Sequence, residues 1–205
     1  MAISRIARET MPTDATDASD TPATASEKSL LRLHLLAARK VMTPAARTAA
    51  ETAICARLLA WLQQHPVASL GVYYPIRQEP DLYPVYSALS TQGVQLSLPI
   101  IRGKDLPLEF VCWTPGEILV KDAMGTSAPP HGETVRPHAL LIPCLGFNTA
   151  QVRLGYGGGF YDRTLTPAPR PLAIGVAYAD ARVDFAAQAH DIALDLIITE
   201  AIAVP

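Results

Sequence analysis

Cysteine is scarce in this chain: three residues in 205, at positions 55, 112 and 144. They are widely spaced, and two stand in apolar runs. A disulfide framework needs denser, paired spacing, so the pattern predicts buried free thiols in a reducing cytosol. No Cys or His pair has the spacing of zinc ligands. Charge of one sign is not in excess either, since 17 Lys and Arg stand against 19 Asp and Glu. Proteins dedicated to nucleic acid carry a basic surplus, which argues against that class. No apolar run is long enough to span a bilayer, and the N-terminal stretch has no secretory apolar region. Hydrophobic residues nonetheless reach 49% of the chain. That suffices for one α/β domain with its own core. No repeat or linker divides it.

Residues 1–25 are rich in Thr, Ala, Asp and Ser without an apolar period, which predicts a disordered tail. A transit peptide is the alternative, given Arg5 and Arg8, but Asp14, Asp17 and Asp20 count against it. The domain is expected over residues 26–205. A first helix is expected from Glu27 to Val41. Thr43 and Pro44 read as the N-cap and first position of a second, running to about Gln64 with Ile54, Leu58, Trp61 and Leu62 inward. Strands are expected over 70–74, 94–98, 108–113, 139–143, 172–178 and 194–199, with a helix over 82–92 and an irregular stretch over 114–137. Alternating helix and strand predicts a mostly parallel sheet with helices on its faces.

The run from Arg153 to Arg163, Arg-Leu-Gly-Tyr-Gly-Gly-Gly-Phe-Tyr-Asp-Arg, carries the most chemistry. Four glycines within five residues let backbone N–H groups converge on one point, a concavity suited to anions. Arginine adds donors for phosphate oxygens, and Asp162 can hold the magnesium that accompanies a nucleotide. The run follows the apolar strand 139–143, the place where open α/β sheets bind ligands. It fits neither the dinucleotide fingerprint, because Phe160 stands where glycine is needed, nor a Walker A loop. These rules give an anion site without naming a cofactor.

Three cations, Lys28, Arg32 and Arg39, fall within about 40° on a helical wheel, with Leu30, Leu31, Leu33 and Leu36 around the rest. Such a stripe answers an anion or is a solvated face. Glu79 and Asp81 follow an early strand, where acids contact ligands or stabilise a helix N-terminus. Asp191 is a candidate second carboxylate for a metal, whereas Asp195 suits a surface or turn role equally well. Tyr73, Tyr74, Trp113, Phe160 and Tyr161 fit a core as readily as a ligand platform. No Ser/His/Asp set suggests a covalent nucleophile.

Together these blocks resemble the 5-formyltetrahydrofolate cyclo-ligase family, also called methenyltetrahydrofolate synthetases. Residues 141–148 and 153–163 are similar to its signature, Lys28 and Arg32 to its N-terminal pair, Glu79-Pro80-Asp81 to its Glu-x-Asp element, and Asp191 and 195–200 to its last-strand motif. The resemblance implies a cytosolic, monomeric enzyme with a mixed, largely parallel sheet. It implies that ATP and Mg2+ drive conversion of 5-formyltetrahydrofolate to 5,10-methenyltetrahydrofolate, releasing ADP and phosphate. By that likeness the formyl oxygen attacks the γ-phosphate, and the neighbouring folate nitrogen then displaces phosphate. Lys28, Arg32 and the stretch Arg153, Leu154, Gly155, Tyr156, Gly157, Gly158, Gly159, Phe160 and Tyr161 would hold ATP, with Arg153 and Tyr161 at the transferring group. Tyr74, Glu79, Tyr156, Phe160 and the glycines 157–159 would bind the folate, and Asp162 and Asp191 magnesium. The chain departs from the family at Gln151, where a glycine is usual, and at Phe160, often a tyrosine. A non-catalytic paralogue that binds a nucleotide or a partner is the alternative.

Overall fold

The computed structural model describes residues 22–122, 124–201 and 203–204. Most of the expected tail, residues 1–21, lies outside the described residues. Its expected end at 25 is too late, because helix α1 (Pro22–Val41) already starts at Pro22. Proline has no N–H to lose in a first turn and its fixed φ favours a helix start. Helix α2 (Pro44–Gln64) begins as expected: Thr43 Oγ1 accepts from the Ala46 N–H at 3.2 Å. Then come β1 (Ser69–Gly71), α3 (Tyr83–Thr91), β2 (Gln95–Ile100) and β3 (Glu109–Cys112).

The stretch 114–137 is less irregular than expected. There β4 (Val120–Lys121) pairs with β5 (Ser127–Ala128), and β6 (Thr134–Val135) pairs with β3. Strand β7 (Ala139–Pro143) has its expected bounds. The hairpin of β8 (Gly146–Phe147) and β9 (Arg153–Leu154) and the short helix α4 (Phe160–Leu165) have no counterpart in the sequence expectation. Their glycine-rich setting hides both periodicities. Strands β10 (Leu172–Val176), β11 (Leu196–Ile198) and β12 (Ala203–Val204) complete the chain.

Eight strands form one sheet in the order β12-β11-β10-β7-β1-β2-β3-β6. The five from β11 to β2 run parallel, and the pairings of β12, β3 and β6 are antiparallel. The expected mixed, largely parallel sheet in a single α/β domain is what the chain adopts. Because side chains alternate along a strand, β7 feeds two cores. Ala139 and Leu141 join Ile54 and Leu58 of α2 on one side. Leu140 and Ile142 join Leu35 of α1 and Leu165 of α4 on the other. Each fully buried aliphatic side chain contributes roughly 1.5–3 kcal/mol. Among the described residues no helix is long and apolar enough to cross a membrane. The carboxyl ends of β1, β2 and β7 open on the cavity described next.

Candidate active site

Helix α1 buries Lys28 and Arg39 beside Leu35 and leaves Leu30 and Leu33 facing outward. Lys28 and Arg39 are only 6% and 4% exposed, while Leu30 and Leu33 are each 66% exposed. A buried charge is tolerated only with partners, and each cation has them. Lys28 Nζ donates to Asp191 Oδ2 at 2.7 Å and to Gln188 Oε1 at 2.8 Å. Arg32 Nε donates to the Gly155 carbonyl at 2.9 Å, tying α1 to the glycine loop.

That loop joins β9 to α4. Gly157 (φ 94°) and Gly159 (φ 63°) lie in the left-handed region, where a Cβ is unfavourable. Among the described residues, no protein acceptor takes the N–H groups of Gly157, Gly158 or Gly159. An ion pair spans the loop's base: Arg153 Nη2 lies 3.1 Å from Asp162 Oδ2. The Arg153 guanidinium also sits 5.2 Å from the Tyr161 ring centre. Upstream, Asn148 Oδ1 accepts from the Ala150 and Val152 N–H groups, both at 3.0 Å, which shapes the β8–β9 turn. Gln151 stands in that turn at φ 59°.

The acidic end is built differently. Past β1 the chain turns through Arg77 (φ 46°) and Gln78 (φ 60°) to reach Glu79. Glu79 is 4% exposed. Its Oε2 accepts from the Ile76 N–H at 3.0 Å, and its Oε1 from the Tyr156 hydroxyl at 2.9 Å. Arg77 lies over the Tyr156 ring at 4.9 Å. One cavity of about 610 Å³ runs between the two ends. Lys28, Arg32, Tyr74, Glu79, the whole run from Arg153 to Asp162, and Asp191 line it, so the residues that the family resemblance assigns to the site meet here, whereas Arg39, Asp81 and Asp195 do not line it. Ile76, Ile101, Leu108 and Met124 supply an apolar wall that no motif announced.

Residues 24–200 match the model of the 5-formyltetrahydrofolate cyclo-ligase family. The chain belongs to that family. Among its relatives, a 5-formyltetrahydrofolate cyclo-ligase of Mycolicibacterium smegmatis is 31% identical over 84% of this chain and 93% of its own. Two solved methenyltetrahydrofolate synthetases share the fold. That of Mycoplasma pneumoniae is 28% identical with a TM-score of 0.69, covering 85% of this chain and 99% of its own. That of Aquifex aeolicus is 27% identical with a TM-score of 0.74, covering 86% and 91%. As a cyclo-ligase family member the chain is an enzyme of the ligase class.

Electrostatics separate the two ends of this cyclo-ligase cavity. Burial raises the Glu79 carboxyl above the usual range, opposed by the Ile76 and Tyr156 hydrogen bonds and by Arg39 and Arg153. Burial also raises the Tyr156 and Tyr161 hydroxyls, which keeps both neutral; Tyr156 donates to Glu79. Asp162 and Asp191 each give one oxygen to a cation. Among the described residues their other oxygens have only long contacts, Asp162 Oδ1 at 3.4 Å from the Ile192 N–H and Asp191 Oδ1 at 3.9 Å from His190 Nε2. Among the described residues no group of three or more His, Cys, Asp or Glu gathers as a metal site. Two carboxylates suit Mg2+ when phosphates and water complete its six oxygens. The sequence reading missed Gln188 and Arg77, which carry no motif. It noticed Arg39 in the cationic stripe and gave it no role. Asp81 and Asp195 prove structural: Asp81 Oδ1 accepts from the Tyr83 N–H at 2.9 Å, and Asp195 pairs with Arg170.

Proposed function

We propose that the chain converts 5-formyltetrahydrofolate to 5,10-methenyltetrahydrofolate with ATP and Mg2+, releasing ADP and phosphate. One observation carries the reading. A single cavity joins a cationic, glycine-lined end to a buried carboxylate beside an apolar wall, which suits a nucleotide triphosphate meeting a pterin. Lys28, Arg32 and Arg153 bind phosphate oxygens, with the free N–H groups of Gly157–Gly159 completing the cradle. Glu79 accepts from pterin N–H groups, while Tyr74, Tyr156 and Phe160 flank the ring. Leu154, 1% exposed, supports the cradle from the core.

The formyl oxygen forms a bond to the γ-phosphorus as the bond to ADP breaks. The adjacent folate nitrogen then attacks the activated carbon, loses its proton, and phosphate leaves. Arg153 steadies the charge on the transferring group and Tyr161 donates to it; neither forms a covalent bond. Phosphoryl transfer rests mainly on such positioning and charge neutralisation. Bound between Asp162 and Asp191, Mg2+ would neutralise the β- and γ-phosphates. These carboxylates pair with Lys28 and Arg153, so phosphates and Mg2+ would take over partners that already balance each other's charge. The same reading makes the enzyme a cytoplasmic monomer with small-molecule partners only.

The test is absorbance in the methenyl-folate band with protein, 5-formyltetrahydrofolate, ATP and Mg2+. A rise requiring all four supports the reading. No rise from folded protein would leave a nucleotide-binding paralogue.

A further inference from the structure

Glu79 is a buried carboxylate with no cation within ion-pair distance among the described residues, and Arg39 is a buried guanidinium with no carboxylate. One hydroxyl lies between them. Arg39 Nη1 is 3.2 Å from Tyr156 Oη, and Tyr156 Oη is 2.9 Å from Glu79 Oε1. A guanidinium only donates. Tyr156 Oη therefore accepts from Arg39, and its own proton goes to Glu79. We propose that Arg39 is the positioning residue of the folate end: through Tyr156 it completes a hydroxyl-bridged ion pair that orients Glu79 and holds it as an acceptor. The functional half of this rests on the folate reading given above.

Arg39 does not touch the ligand. It is absent from the cavity wall, and its guanidinium also meets the Cys144 carbonyl and the Tyr178 ring, 5.7 Å away. A purely structural role explains it poorly. Its Nε is buried without a hydrogen-bond partner among the described residues, and an orphaned buried donor costs stability. The remaining groups whose fields reach Glu79 are Tyr73 past β1, Tyr86 of α3, Cys144 past β7, Tyr161 of α4 and Arg153 of β9. Burial keeps the tyrosines and the thiol neutral. Arg153 is committed to Asp162. Arg77 lies over the Tyr156 ring and makes no ion pair with Glu79 among the described residues, so Arg39 is the buried cation joined to Glu79 through a hydrogen-bonded bridge.

Two readouts test this. In the free protein, carbon-13 NMR follows the Glu79 carboxyl titration, assigned with Glu79→Gln. Its midpoint is expected to move to higher pH in Arg39→Gln, and also in Tyr156→Phe, which breaks the bridge while Arg39 and the rest of α1 keep their sequence. In turnover, Arg39→Gln is expected to lower kcat/KM for the folate about tenfold, the scale of one charge-assisted hydrogen bond. The KM for ATP should stay within about twofold. Arg39→Lys should recover part of the loss. An unmoved midpoint in either folded variant, or a KM for ATP that rises with that for folate, overturns the proposal. Should Arg39→Gln not fold, Tyr156→Phe decides alone by the same midpoint. Wild-type protein that forms no methenyl product would sink the folate reading, while the titration would still judge the bridge.

Discussion

Replacing Gln151 by glycine should stabilise this protein. Gln151 holds φ 59° in the turn between β8 and β9. Its conformation is imposed from several sides: its N–H donates to the Asn148 carbonyl at 3.1 Å, and its carbonyl accepts from the Leu194 N–H at 3.0 Å. Holding a non-glycine residue left-handed costs roughly 1–2 kcal/mol. Glycine gives back about 0.4–1 kcal/mol through its freer unfolded chain. Gln151→Gly is therefore expected to gain about 0.5–1 kcal/mol, or roughly 1–4 °C in Tm for a chain of this size. Gln151→Ala keeps a Cβ and should gain nothing. Thermal unfolding of the three proteins, followed by far-UV circular dichroism, measures this. Equal Tm values for the glycine and alanine variants would refute the reasoning, because only the left-handed backbone separates them. The left-handed backbone at Gln151 then carries strain beside the glycine-rich loop.

Lys28→Ala should raise the KM for ATP roughly 10–100-fold with a much smaller effect on that for folate, since a lost charged hydrogen bond is worth about 1.5–3 kcal/mol; an effect confined to folate contradicts its phosphate role. Asp162→Ala should lose Mg2+-dependent turnover while the protein stays folded, and normal Mg2+ titration of activity would remove Asp162 from the metal site. Because burial raises Glu79, kcat/KM for folate should fall as pH drops through a value above the usual glutamate range; an acidic limb at the ordinary glutamate value would contradict an ionised, buried Glu79. Alkylation at pH 8 should modify Cys112 first, because burial pushes the Cys144 thiol up to about 12 and Cys55 to about 11; mass spectrometry showing Cys144 modified in folded protein would contradict its burial.

Much of this protein was determined along the chain, where signals are local. The period of α2, its Thr43–Pro44 start and the apolar run of β7 name their elements without help from tertiary contacts. The glycine run is equally legible, because Gly157 and Gly159 must take a left-handed backbone. Tertiary structure decided the rest. The wheel of α1 left open whether its cationic stripe answers an anion or faces solvent; in the fold Lys28 and Arg39 are buried while Leu30 and Leu33 face out. That arrangement requires Asp191 and the Gly155 carbonyl, more than 120 residues away, to meet Lys28 and Arg32. Hairpin β8–β9 and helix α4 form where glycine and proline weaken every local preference, so pairing and packing select them. The bridge from Arg39 to Glu79 is further still from sequence: its three members come from α1, the turn after β1 and the loop after β9. Their spacing along the chain carries no period, and only the closing of the sheet brings them within hydrogen-bond reach.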